Sequence, residues 1–585
     1  MNTFGSKRWR VAQVAPADFL RGSEGLHPLM AQVLFNRGLR DMVAFQSFVD
    51  SSASLANPFS LDGVADAVSL VRRMAKRDAP IVVYGDYDVD GVTAVAVLVE
   101  TLRALGLQVE PYIPSREDEG YGLNKEAIEA LAADGVRLLI TVDCGIRSVE
   151  EIALARRLGI RVIVTDHHHP GPKLPPADVV INPKCPHCAY DFVQLAGVGV
   201  AFKLAQALLR SNSKVPLPTT RQELLEEDLL DLVALGTVAD MVHLVDENHL
   251  LVARGLEKIN AGQRPGLSAL MRVAGINPGD VTTKTIGFVI APRLNAAGRL
   301  DEALTALELL LAPDMASALP LAQALDELNA KRREITSHVR EEARDVVLRQ
   351  ERLPPLIFAA SPSFPSGVVG LAASRLLDEF YRPSVVVSIE SEYSKGSARS
   401  IPEFHITRAL DSLSELLERH GGHSAAAGFT VRTERLGELR TRLTELAEVE
   451  LQDLVLVPTL QVDANAPLES LSWDLYHQLE RLQPFGFGNP VPVFASRRVR
   501  VVSARAVGSE GRHLKLLVAD ASERTWDAIA FRQGYWAGRV PPWIDLAYVL
   551  ERNEWNGRVN LQLNVQDIRP TGLQDWQSWS FEEDR

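Results

Sequence analysis

Cysteine is nearly absent. The 585 residues carry three, Cys144, Cys185 and Cys188, too few for a disulfide framework and in keeping with a reducing compartment. Cys185 and Cys188 frame Pro186 and His187 as half of a zinc arrangement, but no second pair completes it, so they read as loop or buried cysteines. No apolar run approaches the roughly 18 residues a membrane helix needs, and Met1 to Ala17 is mixed polar without the apolar stretch of a signal peptide. The expectation is a cytoplasmic protein with no membrane contact. Aromatics are sparse at 6%, and positive charge is in deficit: 62 Lys and Arg against 75 Asp and Glu leave a net charge of −13. A polyanion must then be held by local basic patches. Missing too are a G-x-x-x-x-G-K-[ST] loop, an H-E-x-x-H helix and a G-x-S-x-G elbow, which sets aside the ATPases, proteases and esterases built on them.

What is present folds. Hydrophobic residues at 46% and charged residues at 23% match ordinary globular chains, and the length asks for about three to five domains. Between residues 81 and 182 apolar runs at Ile81–Tyr84, Leu138–Val142, Arg161–Thr165 and Val179–Ile181 alternate with helical stretches such as Gly91–Leu105 and Val149–Leu158. That order is the mark of a parallel, doubly wound sheet. Helices at Val193–Leu209 and Gln222–Leu235 extend this part. Leu321, Leu325, Leu328, Ile335, Val339 and Val346 keep near-heptad spacing among charges, predicting a long connector helix. A second α/β pattern has strands at Leu356–Ala360 and Ser384–Ile389, helices at Gly370–Phe380 and Ile406–Glu418, and a turn at Gly421–Gly422. Beyond Pro458, five short β runs between Val499 and Val565 suggest a small OB-like barrel. The expected segments are 1–50, an N-terminal helical part; 51–310, the catalytic domain; 311–352, the connector helix; 353–455, a second α/β domain; 456–570, the barrel; and 571–585, a mobile acidic tail.

The strongest chemical signal is G-D-Y-D-V-D-G at Gly85–Gly91, where a strand meets a helix. Asp86, Asp88 and Asp90 repel one another unless a cation neutralises them. A calcium EF-hand is excluded, because position twelve of such a loop is Val97 and a strand precedes it. The next strand ends at Asp143, and the one after at Asp166, His167, His168 and His169. Carboxyl ends of parallel strands are where ligands bind, so three strands send acids and imidazoles to one edge. Asp240 closes a predicted helix. Oxygen donors with imidazole and no thiolate favour Mn²⁺ or Mg²⁺, and two such ions suit phosphoester hydrolysis.

At these residues the chain resembles the DHH phosphoesterase superfamily: the D-x-D-x-D segment its first motif, Asp143 its second, D-H-H its third and Asp240 its fourth. Gly421, Gly422 and His423, followed by A-A-A-G-F, resemble the associated DHHA1 domain, which helps to hold substrate. A-P-R-L-N-A-A-G-R-L at Ala291–Leu300 and Q-P-F-G-F-G-N-P at Gln483–Pro490 are similar to the branch that digests single-stranded DNA from the 5′ end. Small nucleotidases of the superfamily carry a His upstream in motif one, where Tyr84 or Gly85 stands here. The resemblance implies metal ligation by Asp86, Asp88, Asp143, His167 and Asp240, with Asp90 a ligand or a turn-former. It implies His168 at the scissile phosphate and Asp166 holding an imidazole, and it leaves His169 unassigned. Two ions, Mn²⁺ or Mg²⁺, would be bound.

Arg116, Arg293, Arg299, Ser397 and Arg399 are candidate phosphate contacts, set against ordinary ion pairs. Of 8 tryptophans only Trp9 lies outside the last stretch beginning at Trp473; Trp555 is a candidate stacking platform and Trp526 reads as barrel core. The implied partners are single-stranded DNA, a single-strand-binding protein and a helicase of the RecQ type, for a monomer in the bacterial cytoplasm. The other readings are a phosphodiesterase of short oligonucleotides or signalling dinucleotides, and a non-catalytic replication scaffold of the same fold.

Overall fold

The computed structural model describes residues 7–115, 122–300, 303–555, 557–572 and 576–579, without the side chains of Leu300, Trp555 and Trp576–Trp579. The chain divides into two compact units: Ala56–Val242 with Arg254–Leu456, and Met1–Leu55 with His243–Ala253 and Val457–Arg585. No described helix is long and apolar enough to cross a membrane.

In the first of these units, a five-stranded parallel sheet runs in the order Val109–Tyr112, Ile81–Gly85, Leu138–Val142, Arg161–Thr165, Val179–Ile181. The central strands are buried on both faces, as expected of near-continuous Val, Ile and Leu runs covered by helices. Val109–Tyr112 escapes sequence reading because Pro111 and Glu110 dilute its pattern; it lies at the sheet edge, where proline is tolerated. The chain order reverses between Ile81–Gly85 and Leu138–Val142, which makes their carboxyl ends the crevice where α/β sheets bind ligands. Helices Val89–Ala104, Gly197–Lys214 and Leu230–Ala239 pack together beside it.

Helix Met315–Leu348 is the expected connector. Its buried stripe is Ala318, Ala322, Leu325, Asn329, Val339, Ala343 and Val347, whereas Val346 is exposed. Alanines at 3.6-residue spacing carry the close packing that a search for large apolar residues overlooks. The helix packs on Pro265–Ala274 and Ala291–Leu300 at one end and on Val369–Phe380 at the other. The second α/β sheet has the order Leu417–His423, Ala426–Arg432, Tyr393–Arg399, Ser384–Ser388, Ile357–Ser361. Here two expectations fail. Helix Ile406–Asp411 stops early, and Gly421–Gly422 lies in a strand paired with Ala427–Gly428 rather than in a turn.

In the other unit, Phe494–Val507, His513–Ala519, Thr525–Ala530, Arg558–Pro570 and Trp543–Trp555 pair in that order, and the last returns to the first. This closed five-stranded barrel is the OB arrangement. Its core contains Phe494, Leu516, Trp526, Tyr548 and Leu563, together with Met30, Val33, Leu34 and Phe45 from the N-terminal helices. The N-terminal segment thus shares the barrel's core. Strand Arg8–Ala12 pairs in parallel with Thr459–Val462 and with Trp576–Trp579; the expected mobile tail therefore contributes a strand.

Candidate metal centre and phosphate pocket

Register brings the acids into one row. Gly85 pairs with Val142, and Val142 with Thr165, so the residues that follow, Asp86, Asp143 and Asp166, leave the sheet at one level. Asp88 is the N-cap of helix Val89–Ala104, its Oδ1 accepting from the Gly91 amide at 3.1 Å. Asp143 holds a left-handed φ of 58°, a conformation a non-glycine residue keeps only where its surroundings enforce it. Asp240 caps the end of helix Leu230–Ala239. Into this row points the Nε2 of His167, 3.1 Å from Asp143 Oδ1, 3.7 Å from Asp240 Oδ2 and 3.9 Å from Asp90 Oδ2, without hydrogen-bond geometry to any of them.

Asp90 braces a neighbouring helix. Its two oxygens accept the Gly197 and Val198 amides at 2.7 and 2.8 Å, fixing the start of helix Gly197–Lys214, and one of them also faces His167. Asp166 accepts from the amides of Ile146, His167 and His168 and lies 2.8 Å from His168 Nδ1. With that carboxylate ionised, Nδ1 carries a proton and Nε2 is left for other work. His169 lies outside this set; its carbonyl accepts from Arg147 Nε.

Burial pushes the Asp143 carboxyl well above its ordinary range, and the neighbouring Asp90, Asp88, Asp240 and Asp86 push it further. The same causes, burial first and then Asp90 and Asp88, raise Asp240 to about 9. Asp90 rises to about 7 through burial and Asp88, against the pull of its two amide donors. Asp166 alone goes down, because its hydrogen bond from His168 and the charge of that ring outweigh burial. His168 rises for the reciprocal reason. Burial and then His168 hold His167 at about 3, a neutral imidazole. Among the described residues three overlapping groups could hold a metal ion: Asp86, Asp88 and Asp143; Asp90, His167 and Asp240; and Asp143, His167 and His168, each with ligand atoms within 4.8 Å of one another. Neutral imidazole, clustered carboxylates and no thiolate fit Mn²⁺ or Mg²⁺.

Two supports were invisible in the sequence. The Asn295 Oδ1 accepts the Val89 amide at 3.2 Å, and a Cβ on Gly298 would come within 2.6 Å of the Tyr87 carbonyl oxygen. The A-P-R-L-N-A-A-G-R-L helix therefore lies directly on the D-Y-D-V turn, with glycine where backbone meets backbone.

Ser397 and Arg399 end a strand facing helix Val369–Phe380. Arg399 Nη1 donates to Ser397 Oγ at 3.0 Å and to the Ala398 carbonyl at 2.9 Å. A Cβ on Gly370 would stand 3.0 Å from Ser397 Oγ and 3.2 Å from Arg399 Nη2. Hydroxyl, guanidinium and helix start thus converge as an anion pocket does. Arg299 Nη1 donates to the Gly367 carbonyl at 3.2 Å, on the loop that leads into the same helix. The Arg293 guanidinium is engaged by Asp326 at 2.9 Å and by the Val289 carbonyl at 2.8 Å, an ion pair to the connector helix. Gly421, Gly422 and His423 are exposed along their strand. Trp526 is core, 4% exposed. Arg116 and the Trp555 side chain lie outside the described residues.

Comparison with known proteins agrees with this anatomy. The DHH family N-terminal domain matches residues 80–237, the DHHA1 domain 354–448 and the RecJ OB domain 462–567. The single-stranded-DNA-specific exonuclease RecJ of Bacillus subtilis (strain 168) is 37% identical over 577 residues, covering 97% of this chain and 71% of that protein. The crystal structure of RecJ from Thermus thermophilus in complex with Mn²⁺ superposes with a TM-score of 0.82 at 32% identity, covering 97% of this chain and 80% of that one. Its counterpart in complex with Mg²⁺ gives 0.76 at 30% identity over 97% and 79%. With three family domains in order and a relative of that identity along nearly its whole length, this chain belongs to the RecJ family of the DHH superfamily.

Proposed function

We propose that the chain is a metal-dependent exonuclease that hydrolyses single-stranded DNA from the 5′ end. The observation that carries this reading is the convergence of Asp143, Asp240 and Asp90 on the unbonded Nε2 of buried His167. Asp86, Asp88, Asp143, His167 and Asp240 would hold two divalent ions, which when bound supply Lewis acidity and a water of lowered pKa. His168, oriented through Nδ1 by Asp166, presents Nε2 to the scissile phosphate. Its raised pKa suits a proton donor or a cation there. Ser397 and Arg399 would grip the terminal 5′ phosphate, whose extra charge distinguishes it from an internal diester. Exposed Trp543, with Arg498 over its ring at 5.5 Å, is the kind of barrel surface on which single-stranded bases stack.

On this reading the protein works in the bacterial cytoplasm, as a monomer, on strands opened by a helicase of the RecQ type and coated by a single-strand-binding protein. A dinucleotide phosphodiesterase would leave the barrel without work, and a scaffold would gain nothing from buried carboxylates that repel one another. The test compares hydrolysis of a long single strand with duplex, RNA and dinucleotide in Mn²⁺. The long strand should be cut fastest, and preference for the dinucleotide would overturn the reading.

A further inference from the structure

Neither the metal centre nor the phosphate pocket draws on the Q-P-F-G-F-G-N-P segment at Gln483–Pro490. Its Gly486 and Asn489 exchange two backbone hydrogen bonds, at 2.9 and 3.2 Å, which makes Phe487 and Gly488 the centre of a tight turn. Gly488 holds a φ of 74°, a conformation glycine takes without strain. The turn is pinned from both sides. Buried Asn489 donates through Nδ2 to the Leu482 and Pro484 carbonyls at 2.8 and 2.9 Å, and its Oδ1 accepts from Arg37. From the other side the Leu244 amide donates to the Phe487 carbonyl at 2.7 Å. A Cβ on Gly488 would stand 2.9 Å from the His243 Cβ and 3.1 Å from its Cα, so a glycine there is what lets the turn lie on the His243–Leu244 backbone.

From this clamped turn the Phe487 ring stands in water, 54% exposed, with the His243 ring behind it at 4.7 Å between centroids and 48° between planes. Isolated apolar side chains are common on protein surfaces; this one is held. Its backbone is fixed by the hydrogen bonds of the turn and its ring is limited by an aromatic neighbour, so a flat ligand stacking on the open part meets a surface already ordered by folding. Nucleobases are such ligands. Stacking accepts any base, because each has a π face, and a nuclease that advances along strands of mixed sequence needs contacts of that kind. Phe487 also belongs to the unit that holds the OB barrel, and Phe485, two residues before it, packs against the barrel's core.

We propose that Phe487, backed by His243, is a stacking platform for one base of a single strand; this rests on the nuclease reading of the chain. The test uses the full chain with 5′-phosphorylated single strands of mixed sequence, comparing wild type, Phe487→Ala, Phe487→Leu and Phe487→Trp. In Mn²⁺, Phe487→Ala and Phe487→Leu should raise KM about tenfold, the scale of one lost stacked base. Their kcat should stay within about twofold of wild type, as expected when only binding common to ground and transition states is removed. Phe487→Trp should keep KM within about twofold of wild type. In chelator, strands carrying a single 2-aminopurine at successive positions should show one position whose fluorescence is quenched by wild type and by Phe487→Trp but not by Phe487→Ala or Phe487→Leu. Tm should be the same in all four proteins, because the ring is exposed. A KM for Phe487→Ala within about twofold of a wild type that cuts DNA overturns the proposal alone. A KM deficit repaired by Phe487→Leu overturns it as well, since apolar packing in place of a π face would then be at work. Wild type that binds Mn²⁺ and cuts no single strand removes the nuclease reading and the proposal together.

Discussion

The Asn295 side chain accepts the Val89 amide at 3.2 Å, across 206 positions of sequence, and so fixes the first turn of the helix that carries Asp88 and Asp90. Three residues on, Gly298 lies against the Tyr87 carbonyl. Gly298→Ala should press that turn out of place: an overpacked contact costs about 1–3 kcal/mol, and here part of it falls on the helix start that carries Asp88 and Asp90. The expected result is a lower Mn²⁺ affinity and a lower kcat than wild type, with the fold retained. Asn295→Ala, which strips an acceptor from a backbone amide, should act in the same direction by about 1–2 kcal/mol. Calorimetric Mn²⁺ titration of both variants checks this, and unaltered affinity in both would show the contact to be incidental.

Asp143→Ala should abolish hydrolysis without loss of stability in the metal-free protein. The carboxyl is buried among Asp90, Asp88, Asp240 and Asp86, so its removal relieves repulsion and spares a desolvation cost. Thermal melts in a chelator should give a Tm equal to or above wild type. Activity above about a tenth of wild type would count against the site, because a lost ligand should cost several kcal/mol at the barrier.

Metal and pH should act together on stability. The folded-state pKa values of Asp143, Asp90 and Asp240 are raised, the last to about 9, from an unfolded value of about 3.9. Between those limits the folded, metal-free chain binds more protons than the unfolded chain, so its stability falls as pH rises. Asp166 runs the other way: its lowered pKa adds stability that is present above the unfolded value and lost only as pH falls through the folded one. Divalent cations replace the displaced protons. The rise in Tm on adding Mn²⁺ should therefore be larger at about pH 8.5 than at about pH 6. Equal rises, measured by differential scanning fluorimetry, would contradict this electrostatic picture.

Arg399→Ala should raise KM for 5′-phosphorylated DNA and shrink the preference over a 5′-hydroxyl end, because Ser397, Arg399 and the start of helix Val369–Phe380 converge there. An ordinary ion-pairing arginine would instead cost about 1 kcal/mol of stability or less and leave end preference intact. The kcat/KM ratio for matched 5′-phosphate and 5′-hydroxyl strands separates the two, and an unchanged ratio removes Arg399 from the pocket.

The row of Asp86, Asp143 and Asp166 is legible in the sequence because each follows an apolar run that can only be a buried parallel strand, and parallel register aligns strand ends. Asp240 is legible as a helix-ending acid. Asn295 is not, since it acts through a side chain reaching a distant backbone amide, which leaves no local periodicity. The Arg293 ion pair is not legible either, because an arginine in a glycine-bearing motif looks the same whether it faces phosphate or Asp326. The N-terminal helices look separate along the chain, yet Met30 and Phe45 fill the core of a barrel that begins more than 400 residues later.

The central claim is that this chain removes nucleotides from the 5′ end of single-stranded DNA at a carboxylate-rich metal centre. Its most direct test is a time course on one single strand labelled at the 5′ end or at the 3′ end, in Mn²⁺ and in chelator, with Asp143→Ala alongside. Labelled mononucleotide should be the first product from the 5′ label and a descending ladder should form from the 3′ label, with neither in chelator or in the variant. Release of the 3′ label first, or equal cutting in chelator, would contradict it.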